Sequence, residues 1–179
     1  MGGVRQNWLY WRGRIDVDPI LDAAKNINLD EATTFGGQNL EHRRSKVGWL
    51  TGNDLINALM RPFIQQASSV MGVKVFDQTE IQYTEYHGSN EGKYDWHHDV
   101  DWNNNGNADR KLSITIQLSD PQDYEGGTFE FDEVENPQLE FKDKGTILIF
   151  PSYLKHRVLP VTSGVRKTLV AWVYGPRWQ

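Results

Sequence analysis

The chain has 179 residues, no cysteine and a formal net charge of −5, with 38% apolar residues and seven tryptophans. A length of this order makes one domain with a sizeable core, and the missing thiols exclude disulfides, Fe–S clusters and thiolate zinc sites, leaving imidazole and carboxylate as metal ligands. The acidic balance argues against a binder of nucleic-acid backbone.

Met1 to Gln6 carry neither an apolar signal core nor a myristoylation pattern, and no apolar run approaches membrane-spanning length. A soluble, cytoplasmic protein is the expectation. Residues 7–16 are aromatic-rich and read as an edge strand. Asp18-Pro19 reads as a helix N-cap followed by proline at the first helical position, and Ile20, Leu21, Ala24 and Ile27 give that helix an apolar face. Thr33 to Asn39 is a loop. Arg44 to Leu50 is strand-like, with Val47 and Trp49 on one face. A second helix starts near Thr51 or Asn53; Leu55, Leu59, Phe63 and Ala67, flanked by Ile56, Met60 and Ile64, form its apolar stripe, and Pro62 should kink or interrupt it.

From Val73 the patterning changes to period two. Strands are expected at 73–76, 79–86, 94–100, 111–118, 127–132, 138–141, 145–150, 156–161 and 167–174, with turn-rich pieces between them. Many short strands without intervening helices indicate an antiparallel sandwich or barrel. The fold class is therefore α+β, mainly β: a jelly roll (double-stranded β-helix) with two supporting N-terminal helices. We read 1–179 as a single domain, with 1–72 as the helical support region and 73–179 as the jelly-roll core.

Chemistry concentrates in Tyr94-Asp95-Trp96-His97-His98-Asp99. On a strand, alternate side chains share a face, so His97 and Asp99 point together and His98 points away. An imidazole and a carboxylate on one face are two members of the 2-His-1-carboxylate set that holds non-haem Fe(II) with open positions. An isolated His-x-Asp is a weak signal. His156, in a late strand, is the candidate for the second imidazole, whereas His42 and His87 read as solvated surface. Arg166 shares a strand face with Thr168, Val170 and Trp172. A guanidinium among apolar neighbours needs an anionic partner, and its planar fork suits a carboxylate.

Taken together, His97-x-Asp99, His156 and Arg166 ten residues later resemble the Fe(II)/2-oxoglutarate-dependent dioxygenases, in particular their prolyl-4-hydroxylase-like branch. Tyr86-His87-Gly88 with Tyr94 to Asp99, Asp123 to Phe129, Gly145 to Ser152 and Arg44 to Leu50 are similar to that branch in kind and order, over about residues 44–174. The resemblance implies Fe(II) held by His97, Asp99 and His156, 2-oxoglutarate as co-substrate with its distal carboxylate on Arg166 and a hydroxyl from Tyr86, and O2, with ascorbate as a candidate reductant. The products would be succinate, CO2 and a hydroxylated substrate. Retention of Asp99 favours hydroxylation over halogenation, and Trp172 stands where the nucleic-acid demethylases carry a second arginine.

The resemblance makes a peptidyl, prolyl-type residue of a peptide or protein the expected substrate, with neither nucleic acid nor membrane as partner. Trp96, Trp102 and Trp172 are candidates for a substrate wall, and Trp8, Trp11 and Trp49 for packing. Two alternatives stay open: hydroxylation of a free amino acid or small metabolite on the same site, and a catalytically silent jelly-roll binding module.

Overall fold

Period-two patterning produces two antiparallel sheets in the computed structural model, which describes residues 6–137 and 139–179. The strands are β1 (Leu9–Trp11), β2 (Asp30–Glu31), β3 (Arg43–Arg44), β4 (Lys46–Trp49), β5 (Thr79–His87), β6 (Lys93–His97), β7 (Ala108–Gln117), β8 (Tyr124–Gly126), β9 (Phe129–Phe131), β10 (Ile147–Pro151), β11 (His156–Val158) and β12 (Val161–Pro176). The larger sheet runs β1-β10-β7-β12-β5-β4-β2, with β8 also paired to β12; the smaller runs β3-β6-β11-β9. Two helices, α1 (Asp18–Ala24) and α2 (Asp54–Met71), pack on the larger sheet. No helix among the described residues is long and apolar enough to cross a membrane.

Alternation gives the larger sheet two chemically distinct faces. One face carries Ile81 and Tyr83 of β5, Leu112, Ile114 and Ile116 of β7, and Leu169, Ala171 and Val173 of β12. They form a continuous core with Ile20 of α1 and with Ile56, Met60 and Ala67 of α2. The opposite face carries Gln82 and Thr84, Ser113, Thr115 and Gln117, and Arg166 and Thr168. All seven are buried although polar. Burying a polar row costs free energy unless its groups find partners, so a face of this kind marks the ligand-facing interior. The smaller sheet closes over it, and Phe129, Phe131 and Val158 meet Leu148 and Phe150 in a second apolar cluster.

Several expected elements take a different form. Residues 73–76 are not a strand: Gly72 ends α2 in the left-handed conformation (φ 66°), the Val73 N–H turns back to Ser68 C=O at 3.0 Å, and one bond, Phe76 N–H to Tyr174 C=O at 2.7 Å, ties the segment to β12. Where a strand was expected over 138–141, a short 3-10 helix spans Leu139–Lys142; Gln138 lies outside the described residues, as do residues 1–5, on which the targeting expectation rests. Asp18 is not the cap of α1. Val17 occupies that position, and it is Asp16 whose carboxylate accepts the Asp18 N–H at 3.1 Å. Pro62 does not interrupt α2, because Ile56, Met60 and Ala67 bury against the sheet on both sides of it. Leu55 falls outside the buried stripe and is exposed.

Asn53 caps α2 as expected, its carboxamide oxygen accepting the Ile56 N–H at 3.0 Å. Residues before 72 contribute strands as well as helices: β1 extends the larger sheet at β10, β4 pairs with β5, and β3 pairs with β6.

Candidate active site

Strand β6 ends at His97, where His156 of β11 pairs with it. Residues 98–100 leave the ladder, and the Asp99 N–H donates to Ser152 C=O at 3.0 Å instead. The expected strand over 94–100 is therefore too long. This break, rather than strand parity, turns the Asp99 carboxylate back between the two imidazoles. His97 Nε2 lies 3.4 Å from Asp99 Oδ1, and His156 Nε2 lies 3.5 Å from Asp99 Oδ2. Ligand atoms of the three residues all fall within 4.8 Å of one another.

The hydrogen bonds around the cluster fix which nitrogens are available. His97 Nδ1 is 2.7 Å from Asp95 C=O and His156 Nδ1 is 2.8 Å from Leu154 C=O. A carbonyl only accepts, so both Nδ1 atoms carry the hydrogen and both Nε2 atoms face Asp99. Ser113 Oγ donates to Asp99 Oδ2 at 2.6 Å and is 2.9 Å from Ser152 Oγ. Burial opposes ionisation of Asp99, but the adjacent His156 and His97 and the Ser113 hydroxyl outweigh it and hold the carboxyl well below its ordinary range. Burial pushes His156 down to about 4 against the attraction of Asp99, which leaves a neutral imidazole near neutral pH. Two imidazole nitrogens and one carboxylate, each oriented by a second hydrogen bond, are a donor set that fits Fe(II).

Across the same interior lies Arg166, 2% exposed. Its Nη2 donates to Gln117 Oε1 at 3.2 Å, and Tyr86 lies beneath it with the guanidinium carbon 5.5 Å from the ring centroid. No carboxylate stands within ion-pair distance of Arg166 among the described residues. Gln117 Nε2 is buried without a partner. One cavity is lined by His97, Asp99 and His156 at one end and by Tyr86, Thr168 and Arg166 at the other. Sequence reasoning thus named residues that the fold does bring together: His97, Asp99, His156, Arg166 and Tyr86.

Residues 81–174 match the 2OG-Fe(II) oxygenase superfamily. The chain belongs to that superfamily. This oxygenase is 32% identical over 165 residues to a PKHD-type hydroxylase of Idiomarina loihiensis, an alignment covering 89% of the chain and 68% of that protein. It is 44% identical over 84 residues to a PKHD-type hydroxylase of Synechococcus sp. (strain CC9311), covering 46% of the chain and only 37% of that protein. In fold it is similar to a prolyl hydroxylase of Trichoplax adhaerens solved with a hypoxia inducible factor peptide fragment: TM-score 0.72 at 15% identity, covering 94% of this chain and 83% of that one. The oxygenases of this superfamily use Fe(II), 2-oxoglutarate and O2.

Other residues of the oxygenase site escaped the sequence reading. His42 is not solvated surface: it is half-buried, edge-on to Tyr94 with ring centroids 5.7 Å apart, and burial together with His97 lowers its pKa. His87 is half-buried too, with Nε2 2.7 Å from Glu85. Tyr94 stacks on His97 at 3.4 Å, and burial raises its phenol to about 12. Trp49 does not pack in a core. It is half-exposed and lies beside Trp172, ring centroids 6.4 Å apart, on the lining of an open cleft of about 290 Å³ that reaches Asp99. Trp96 lies elsewhere, under the Arg157 guanidinium at 4.3 Å. Gln117 lies opposite Thr168 in the register of β12 and β7, and no sequence signal reveals that register.

Proposed function

We propose that this oxygenase hydroxylates a prolyl-type residue of a peptide or protein, coupled to conversion of 2-oxoglutarate into succinate and CO2. In this reading His97, Asp99 and His156 hold Fe(II), and Arg166, Gln117 and Tyr86 receive the distal carboxylate of 2-oxoglutarate. The observation that carries it is one cavity lined both by a converging imidazole–carboxylate–imidazole set, His97, Asp99 and His156, and by the buried Arg166 guanidinium, which pairs with no carboxylate among the described residues and bonds Gln117 beside the cavity.

Bound Fe(II) would supply the centre at which O2 and the ketoacid are brought to react, so that one oxygen atom enters a substrate C–H bond. The protein groups orient and exclude. Asp95 and Leu154 carbonyls hold the imidazole tautomers, and Ser113 holds the Asp99 carboxylate through a chain that ends on Ser152. Arg166 fixes the far end of the ketoacid bidentately, which orients its reactive end toward the metal ligands. Phe129 and Phe150 pack against His156, with centroids 5.5 and 4.8 Å away, and keep bulk water from that side. The open cleft beside Asp99, with Trp49 and Trp172 adjacent on its lining, suits an extended substrate that lays a small aliphatic ring against an aromatic surface. Peptide recognition by the Trichoplax neighbour supports the same reading by analogy of fold.

The test has two stages. Anaerobic addition of Fe(II) and 2-oxoglutarate should produce a weak visible charge-transfer band, and its absence in metal-loaded protein would favour a silent binding module. With the band present, succinate release is compared for proline-rich peptides and free amino acids. Stimulation by free amino acids alone would sink the peptidyl assignment.

A further inference from the structure

The cleft that opens beside Asp99 contains a cation that no carboxylate among the described residues pairs with. Arg43 of β3 is 7% exposed. Its Nε donates to Ser45 Oγ at 2.9 Å, Nη1 to Thr33 C=O at 3.2 Å and Nη2 to Gln82 Oε1 at 3.0 Å. All three acceptors are neutral, and no carboxylate of the described residues lies within 4.0 Å of the guanidinium. The group sits 4.3 Å from the ring centroid of Tyr94, which itself stacks on His97. A guanidinium has five N–H donors, so two remain beyond these bonds. The other cation of the cleft, Arg110, is already paired with Glu80 at 2.7 Å. The acids of the rim, Asp30 and Glu31, are exposed, where water and salt screen them. A buried cation without an anionic partner among the described residues therefore lines the cleft that reaches Asp99. Burying a guanidinium without an anion is costly, and a bound carboxylate would remove that cost.

We propose that Arg43 is a substrate-binding residue that receives a carboxylate of the substrate. This rests on the cleft being the substrate site of the oxygenase. It deepens that reading by requiring an anionic group close to the oxidised carbon. The carboxylate can sit on the oxidised residue itself, as in a free or C-terminal amino acid, or on an acidic side chain beside it.

Paired probes that differ only in that charge test the idea. N-acetyl-L-proline is compared with its methylamide, and a doubly blocked Glu-Pro-Gly peptide with blocked Gln-Pro-Gly. Binding to protein loaded anaerobically with Fe(II) and 2-oxoglutarate is read from tryptophan fluorescence, since Trp49 and Trp172 line the cleft, and needs no turnover. The wild type should bind the carboxylate member of at least one pair about tenfold or more tightly, the size of a charge-assisted interaction. Which pair discriminates identifies the source of the carboxylate. Arg43→Gln should erase the preference. Ser45→Asp should erase it too by a route that keeps Arg43 in place, because it offers the guanidinium an internal partner at the Ser45 position. Both variants should keep the iron/2-oxoglutarate band. A wild type that discriminates neither pair overturns the proposal, as does a preference that survives in both variants. Succinate release is followed in parallel: a carboxylate preference with no release from any proline compound would reject the prolyl substrate and leave the role of Arg43 standing.

Discussion

Each site residue makes a separable demand. His97→Ala and His156→Ala remove one nitrogen donor each and should lose iron on desalting, measured as metal content per chain; retention of stoichiometric iron by either would remove it from the ligand set. Arg166→Ala should keep iron and weaken 2-oxoglutarate binding. Gln117→Glu gives a sharper version. It places a carboxylate beside a guanidinium that has none, pairing Arg166 within the protein. Charge-assisted hydrogen bonds contribute roughly 1.5–3 kcal/mol, so the affinity for 2-oxoglutarate should fall about 10- to 100-fold, with iron content unchanged. Titration of the anaerobic charge-transfer band measures this directly, and an unchanged midpoint would show that the ketoacid binds elsewhere. Legibility at this scale depended on chemical type. His97, Asp99, His156 and Arg166 carry groups that are costly to bury without a purpose, so their spacing could be read. Gln117, Ser113 and Arg43 have ordinary identities. Their importance comes from strand register and from partners up to 49 residues away in sequence, as for Gln117 with Arg166.

At the level of elements, the sequence pattern revealed β5, β7, β10 and β12: polar and apolar residues alternate along much of β5 and β7, and β10 is a continuous buried apolar run. It did not reveal β2 or β8, which have two and three residues and are defined only by their partners. The end of β6 was illegible for a related reason. Nothing local stops a strand at His97; the pairing with His156 and the Asp99–Ser152 bond do. Two element-level predictions follow from contacts. Asn53→Ala removes the side-chain cap of α2 and should cost about 1 kcal/mol, seen as a lowered denaturation midpoint with iron binding intact. Gly127 has φ 64°, and a Cβ there would lie 2.8 Å from Arg166 Cδ and 2.9 Å from Val161 Cγ2. Gly127→Ala therefore strains the β8–β9 turn and pushes on the arginine side chain. The variant should bind 2-oxoglutarate several-fold more weakly and still load iron. An equal loss of iron and 2-oxoglutarate would indicate general unfolding instead.

For the molecule as a whole, the interior polar face links ligand binding to stability. Asp99 is buried between two imidazoles and Arg166 is buried on the polar face of the larger sheet, and among the described residues no Lys or Arg pairs with Asp99 and no carboxylate pairs with Arg166. A cation at the first and a ketoacid at the second remove two desolvation penalties at once. Anything that binds only the folded state stabilises it by RT ln(1 + [L]/Kd), about 2.7 kcal/mol at a hundredfold excess over Kd. For a chain of this size that corresponds to a rise in thermal midpoint of about 5–10 °C. Redox-inert Mn(II) can replace Fe(II) in this measurement, which removes oxidation as a complication. Mn(II) should raise the midpoint of the EDTA-treated protein, and 2-oxoglutarate should raise it further only after the metal is present, because its reactive end needs the metal as anchor. Asp99→Asn keeps the shape and removes the ligand charge, so its midpoint should not respond to Mn(II). Equal shifts in wild type and Asp99→Asn would place the bound cation on the acidic surface of this −5 chain and separate it from the interior site.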